Sequence, residues 1–400
     1  MDILEAKQIV IKAGHELLKE GLIVRTWGNI SCRVNEEQFV ITPSGRAYED
    51  LTPDDIVLVN IADLSYDGDV KPSSEKGIHA SCYQLRPDCN FVIHTHQANA
   101  SIVSALGYDI DALTEEHSAI IGNDVPCAAY GLPGTGKLRQ GVIDALNRSK
   151  SKAIILAHHG AVCVGSDYAD AFKVASTLED VCEKYVADRC SEVSGKAVDS
   201  LNAVKDYILS VFTSAEGYKK CADFPALDSE KSDNTVTFFK DGTELVKTDL
   251  NGAVIGEGTL PEGAALHLAV YNKREDVNFI HHSQNDFVKA ISAEGKTMKP
   301  LLDDFAQLIG PTVKCAKDPT AAKSVVGALG NKNAVLLKDN GAICVAGTKY
   351  DAEAIEIVMD KGCKTLIGAK LYTGVKAINA FEANLMRIIY KMKYSKKAGK

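Results

Sequence analysis

Apolar residues recur at helical spacing over residues 2–20, at Ile3, Leu4, Val10, Ala13, Leu17 and Leu18, and Gly21 follows where a helix C-terminal glycine is expected. The spacing predicts an opening helix. Five short β-rich runs come next: FVIT at 39–42, DIVLVN at 55–60, NFVIHT at 90–95, AIILA at 153–157 and AVCVG at 161–165. Helical patterns at 74–86, 137–148 and 168–189 fall between and after them. Only His158, His159 and Gly160 separate the last two runs, a connection so short that the strands must pair antiparallel. Helices alternating with strands that include a hairpin predict an α/β fold with a mixed, mainly antiparallel sheet covered by helices. A doubly wound parallel sheet fits this order less well.

The pattern then returns. NFVIHTHQANASIVSA at 90–105 comes back 188 residues later as NFIHHSQNDFVKAISA at 278–293, and KAIILAHHGAVCVGS at 152–166 comes back 181 residues later as NAVLLKDNGAICVAG at 333–347. The first copy occupies 1–195, a helical segment and polar, proline-containing linker 196–232, and the second copy 233–400. The second copy replaces TWGNIS at 26–31 and ITPSG at 41–45 with the plainer VTFFKDGTELVKTDLNG. It is read as having lost loops as well as side chains.

Four hundred residues at 46% hydrophobic content are enough for two cored domains. A net charge of −8 gives no electrostatic footprint for nucleic acid or an anionic membrane, and the lysine-rich end KMKYSKKAGK reads as a solvated tail. No apolar run reaches the length of a membrane span, and Met1–Glu5 leads into a helical pattern instead of a signal core, so a cytoplasmic protein is expected. Eleven cysteines without CxxC pairs argue against a disulfide framework or a structural zinc knot. Cys127 matches Cys315 and Cys163 matches Cys344, as expected of small core residues.

Candidate chemistry is confined to the first copy. Residues two apart on a strand share a face, so His94 and His96 present two imidazoles to one site. His159 adds a third from the tight turn, and Glu75 a carboxylate from the start of a helix; three histidines plus a carboxylate suit Zn²⁺. In the second copy the same positions hold His282, Gln284, Asn340 and Gly263. Were the histidines mere core residues, three changes among four positions inside an unchanged apolar frame would lack a reason; relaxation of a lost site supplies one. His158 points away from His159 along an extended chain and is read as structural, while His79 and His267 occur in both copies and are read as elements of the fold.

Three stretches of the first copy are rich in small donors: Thr26–Trp27–Gly28–Asn29, Thr42–Pro43–Ser44–Gly45 and Pro72–Ser73–Ser74–Glu75. Each alone is an ordinary turn or N-cap; together beside a metal they suggest a phosphate pocket. GLPGTGK at 131–137 has the spacing of a nucleotide P-loop, but Leu138 replaces the magnesium-holding hydroxyl, and a strand-to-helix turn is the better reading.

GNIS at 28–31, ITPSG at 41–45, PSSE at 72–75, HTH at 94–96 and HHG at 158–160, in this order, resemble the class II aldolase/adducin family, particularly its fuculose-phosphate aldolase branch. The resemblance spans most of 1–190 and, more weakly, 233–365. It implies an aldolase-like catalytic domain in tandem with a degenerate one. One zinc per chain would be held by His94, His96 and His159, with Glu75 binding it in the empty enzyme and acting as acid/base in turnover. Substrate phosphate would be held by Gly28–Asn29, Ser44–Gly45 and Ser73–Ser74. Where the family's aldolases place a catalytic tyrosine, ALTEEHSAIIG at 112–122 offers Glu115, as in a related dehydratase branch. The expected activity is zinc-dependent cleavage of a small phosphorylated ketose to dihydroxyacetone phosphate and an aldehyde. A sugar-phosphate 4-epimerase, a dehydratase and a non-catalytic adducin-like module are the alternatives. Family members form fourfold rings with sites between neighbours, so a homodimer in a pseudo-fourfold domain arrangement is expected, with Tyr390 and Tyr394 as candidates to reach the pocket.

Overall fold

Asp2 precedes the first apolar position, and its carboxylate accepts hydrogen bonds from the backbone N–H groups of Leu4 and Glu5, so α1 (Ile3–Lys19) starts where the pattern predicts. The structure, a computed structural model, describes residues 1–212 and 225–394; the side chain of Tyr394 and the lysine-rich end from 395 lie outside the described residues. The chain divides into two compact units, one of residues 1–201 with 371–376, the other of the remaining described residues.

Seven strands make the sheet of the first unit: β1 (Asn29–Arg33), β2 (Gln38–Ile41), β3 (Val57–Asn60), β4 (Phe91–Thr95), β5 (Cys127–Ala128), β6 (Ala153–Leu156) and β7 (Gly160–Gly165). They lie in the order β3-β2-β1-β4-β7-β6-β5, antiparallel throughout except for the short β5–β6 pair. The expected hairpin is present, with Leu156 opposite Gly160. Between the strands run α2 (Lys76–Leu85), α3 (Ala98–Leu106), α4 (Glu115–Ile121) and α5 (Gly136–Arg148), followed by α6 (Tyr168–Ser194). Because side chains alternate across a sheet, the central strands feed two cores. Phe39, Ile41, Val92, Leu156 and Val162 pack against Ile78 of α2 and Leu138 and Val142 of α5. On the other face α1 covers β1 and β2, α6 covers β4 and β7, and Ile30, Val40, Ile93 and Cys163 are buried. GLPGTGK is the entry to α5, with Thr135 capping the helix by accepting from the Leu138 N–H.

After α7 (Leu201–Phe212), the second unit repeats the plan with β8 (Asp228–Ser232), β9 (Thr235–Lys240), β10 (Thr243–Asp249), β11 (Val254–Ile255), β12 (Phe279–Ser283), β13 (Cys315–Ala316), β14 (Ala334–Leu337) and β15 (Gly341–Ala346). Their order is β11-β10-β9-β8-β12-β15-β14-β13, again with one parallel pair, β13–β14. Its helices are α8 (Ala264–Lys273), α9 (Asp286–Ala293), α10 (Asp303–Leu308), α11 (Ala322–Leu329), α12 (Lys349–Ala369) and α13 (Ala380–Tyr394). Registers repeat as well: Cys127 pairs with Ile155, and Cys315 with Leu336.

One reading of the sequence is corrected here. The strand that carries Asn29–Ile30–Ser31 does have a counterpart, β8, inside the stretch read as linker; Ser31 pairs with Val92, and Ser229 with the equivalent Ile280. β8 reads DSEKS and carries no apolar alternation, which is why the pattern passes over it. Positions held by Ile30, Cys32, Val40 and Ile93 in the first sheet are held by Asp228, Glu230, Thr237 and His281 in the second, and Asp228 pairs with His281 at 2.9 Å. Among the described residues ten cysteines are free, nine of them buried, so they pack as core residues. No described helix is long and apolar enough to cross a membrane.

Candidate functional site

Two glycines bring the pieces of the site into register. Gly160 follows the turn that carries His159, and a Cβ there would stand 2.2 Å from the carbonyl oxygen of Thr95, so only glycine lets the turn close on β4. Gly28, at φ +81°, approaches the His94 carbonyl as closely, with a Cβ position 2.4 Å away, and delivers Asn29 to the same end of the sheet. His94 and His96 come from the end of β4, and Glu75 caps the start of α2.

The three imidazoles converge. The Nε2 of His94 lies 3.1 Å from that of His159 and 3.1 Å from that of His96, and the three rings form a set of mutually close ligand atoms. Glu75 reaches the Nε2 of His94 with one carboxylate oxygen and that of His159 with the other, both at 3.2 Å. The Nδ1–H of His94 donates to the carbonyl of Ala161 at 2.8 Å, which fixes the tautomer and leaves its Nε2 lone pair facing the cluster. Lone pairs crowded this closely repel one another without a cation. Zn–N bonds are about 2.0–2.1 Å, so two nitrogens on one tetrahedral ion stand about 3.3 Å apart, close to the spacing found. The donor set fits a zinc-type ion. Burial works to raise the Glu75 pKa, but His159 and His94 outweigh it and hold the carboxyl well below its usual range.

Asn29 is buried; its Nδ2 donates to Glu75 at 3.1 Å and its Oδ1 takes the Nε2–H of His79. Burial pushes the His79 pKa down to about 3, so the ring is neutral. The Ser44–Gly45 and Ser73–Ser74 loops are laced together: the Ser44 N–H donates to Lys71 O at 2.9 Å, the Ser73 N–H to Thr42 O at 3.0 Å, and Pro43 bridges Pro72. Thr42 is in turn bonded to Ile30, next to Asn29. Ser73 is buried with its hydroxyl accepting from the Glu75 N–H, whereas Ser74 is exposed. Glu115 is not brought to the cluster; it is exposed on the first turn of α4, behind the Thr114 cap.

The sequence model of the class II aldolase and adducin N-terminal domain matches the chain twice, over residues 8–186 and 237–367. The chain belongs to this family. It is 32% identical over 180 residues to a 5-deoxy-D-ribulose 1-phosphate aldolase of Bacillus thuringiensis, covering 45% of this chain and 83% of that protein. An L-fuculose phosphate aldolase of Escherichia coli is 36% identical over 171 residues, 43% of this chain and 78% of the relative. An L-ribulose-5-phosphate 4-epimerase of Salmonella paratyphi B is 31% identical over 215 residues, 51% and 91% of the two chains.

The second copy of this class II aldolase domain is built differently at the same place. His282 donates its Nε2–H to the carbonyl of Asn340 at 3.0 Å, and the Gln284 amide donates to the Asn340 side chain at 3.3 Å. Gly263 supplies no carboxylate at the start of α8. Polar groups there bond to one another, and among the described residues no second group of ligands converges as the three histidines do. Sequence reasoning missed the Ala161 carbonyl and the contacts of Asn29 with Glu75 and His79. A backbone acceptor leaves no trace in residue identity, and the Asn29 contacts join residues about fifty positions apart.

Proposed function

We propose that the first unit is the catalytic domain of a zinc-dependent lyase that cleaves a small phosphorylated ketose to dihydroxyacetone phosphate and an aldehyde. The observation that supports this is the meeting of three imidazoles and a carboxylate beside two linked serine-bearing loops, in a chain whose second copy lacks all but one of those ligands. His94, His96 and His159 would hold the ion, with Glu75 able to yield its place to substrate. The ion supplies Lewis-acid stabilisation of negative charge on the substrate oxygen, without a lysine Schiff base. Glu75, oriented by Asn29, carries the proton to or from the nucleophilic carbon. Gly28–Asn29, Ser44–Gly45 and Ser73–Ser74 hold the phosphate, with the start of α2 adding favourable backbone dipoles.

Glu115 would serve the leaving oxygen. Since it stands apart from the cluster within this chain, that role calls for a neighbouring subunit. A homodimer with four domains in pseudo-fourfold arrangement belongs to this reading. In its support, α13 buries Ala383 and Met386 on one side while Phe381, Ile388 and Met392 stand 78%, 55% and 68% exposed on the other. Soluble enzymes of sugar-phosphate metabolism work in the cytoplasm, where we place the protein.

A 4-epimerase is the second reading, favoured by the L-ribulose-5-phosphate 4-epimerase relative, since breaking and remaking the same bond needs the same site. The test is a screen of phosphorylated ketoses with the purified, zinc-loaded chain. Release of dihydroxyacetone phosphate supports the lyase, and interconversion of pentulose phosphates without release supports the epimerase. Inertness toward every sugar phosphate in a zinc-loaded, folded sample rejects both.

A further inference from the structure

Five buried side chains run in a line from the core to the edge of the site. The Tyr83 hydroxyl lies 2.6 Å from Ser31 Oγ, and Ser31 Oγ 2.6 Å from His79 Nδ1. His79 Nε2 meets Asn29 Oδ1, and Asn29 Nδ2 meets Glu75 Oε2. A carboxylate oxygen accepts and an amide NH₂ donates, so Asn29 must present its nitrogen to Glu75 and its oxygen to His79. That oxygen only accepts, so the proton of the neutral imidazole sits on Nε2. Nδ1 is then an acceptor, Ser31 must donate to it, and Tyr83 must donate to Ser31. Each hydrogen in the chain has one allowed direction.

We propose that His79 is a positioning residue for Glu75, acting through Asn29 to fix which face of the amide meets the carboxylate. The inference rests on the reading of Glu75 as the group that carries the proton. Without the donation from Ser31, the imidazole can move its proton to Nδ1. A bare Nε2 then opposes Asn29 Oδ1, the amide turns over, and an oxygen faces an oxygen at Glu75. The carboxylate loses the donor that holds its orientation.

The second unit supplies the internal control. Ser229 Oγ lies 2.7 Å from His267 Nδ1 and 2.8 Å from the Tyr271 hydroxyl, the same triad with the same burial. By register, Leu227 stands at the position of Asn29, and Gly263 at that of Glu75. The triad alone therefore belongs to the fold. Its link to a carboxylate is a property of the first unit.

The experiment removes one hydroxyl at a time from the full-length protein, as Ser31→Ala and as Ser229→Ala. Both variants lose the side-chain bonds to a histidine and a tyrosine, although Tyr271 keeps the Ser229 carbonyl as acceptor, so both melting temperatures fall, that of Ser229→Ala no more than that of Ser31→Ala. Ser31→Ala is expected to lower kcat by about tenfold or more with KM within about threefold and metal content unchanged. Ser229→Ala is expected to leave kcat alone, and Ser31→Thr, which restores the hydroxyl, to recover most of it. Long-range ¹H–¹⁵N spectra of histidine-labelled protein read the tautomer directly: Nε2–H for His79 in the parent, shifting toward Nδ1–H in Ser31→Ala. Wild-type kcat in Ser31→Ala, an equal loss in Ser229→Ala, or an Nδ1–H tautomer in the parent would each overturn the proposal. If the parent turns over no sugar phosphate, the functional reading fails, while the tautomer and its response to Ser31→Ala still decide the positioning role.

Discussion

His94 and His282 occupy the same position on equivalent strands but are tied down through opposite ring nitrogens. His94 gives Nδ1–H to the Ala161 carbonyl and keeps Nε2 for the cluster, whereas His282 gives Nε2–H to the Asn340 carbonyl. The retained histidine of the second unit is a satisfied core residue. Metal analysis should therefore find one zinc per chain, abolished by His94→Ala or His96→Ala and untouched by His282→Ala. Two ions per chain, or loss of metal in His282→Ala, would refute the one-sided assignment.

Glu75→Gln keeps the shape of the side chain but removes the basic carboxylate. Turnover is expected to fall by about a hundredfold or more, with little change in affinity for inorganic phosphate. The pair Ser73→Ala and Ser74→Ala should do the reverse, raising KM for the phosphorylated substrate more than it lowers kcat. Near-normal turnover in Glu75→Gln would reduce Glu75 to a structural helix cap.

Stability should decline on mild acidification. Burial depresses the pKa of both His79 and His267 to about 3 and lowers that of His282, so all three bind a proton less readily folded than unfolded, where imidazole titrates near pH 6.5. Stability from these groups is complete above the unfolded value and is lost as pH falls below about 6.5, down to about 3 for His79 and His267. His281 runs the other way: although burial opposes it, its bond to Asp228 raises its pKa, and its contribution is present at low pH and lost as pH rises. Among the histidines whose pKa is shifted, three oppose one. Urea unfolding of metal-free protein between pH 7.5 and 5 should show a falling midpoint, and a flat or rising one would contradict the account.

Much of this was readable in the sequence because the hairpin strands β6 and β7 and their counterparts β14 and β15 are apolar on both faces and almost unchanged between copies. FVIHT and FIHHS, or GAVCVG and GAICVA, show the duplication directly, and the histidines at 94, 96 and 159 that the structure brings together lie within or beside the first of each pair. β8 escaped because its polar run conceals the buried Ser229, which a strand pattern cannot distinguish from an exposed serine. The side-chain contacts of Asn29 escaped for another reason. The family resemblance assigns it to phosphate, but which neighbour a buried amide chooses depends on residues such as His79 that come close only in the folded sheet.

Light scattering should give a dimer of about 86 kDa, twice the 42.9 kDa chain, and deletion of residues 233–400 should abolish activity. The exposed stripe on α13 sharpens this: Phe381→Ser with Met392→Ser should weaken the dimer while leaving metal content intact. A monomeric active enzyme, or a fully active first unit alone, would reject the assembly.

Gly341 repeats the close approach of Gly160, with a Cβ position 2.1 Å from the Ser283 carbonyl oxygen, in a unit that has no third histidine to place. The hairpin is thus a mould that outlives its casting. Once a sheet demands glycine at that corner, mutation can erase ligands freely but cannot easily erase the geometry that aimed them. The second unit keeps the turn that would aim a ligand without the ligand itself, and the kinship of the two units is written more durably in this turn than in its side chains.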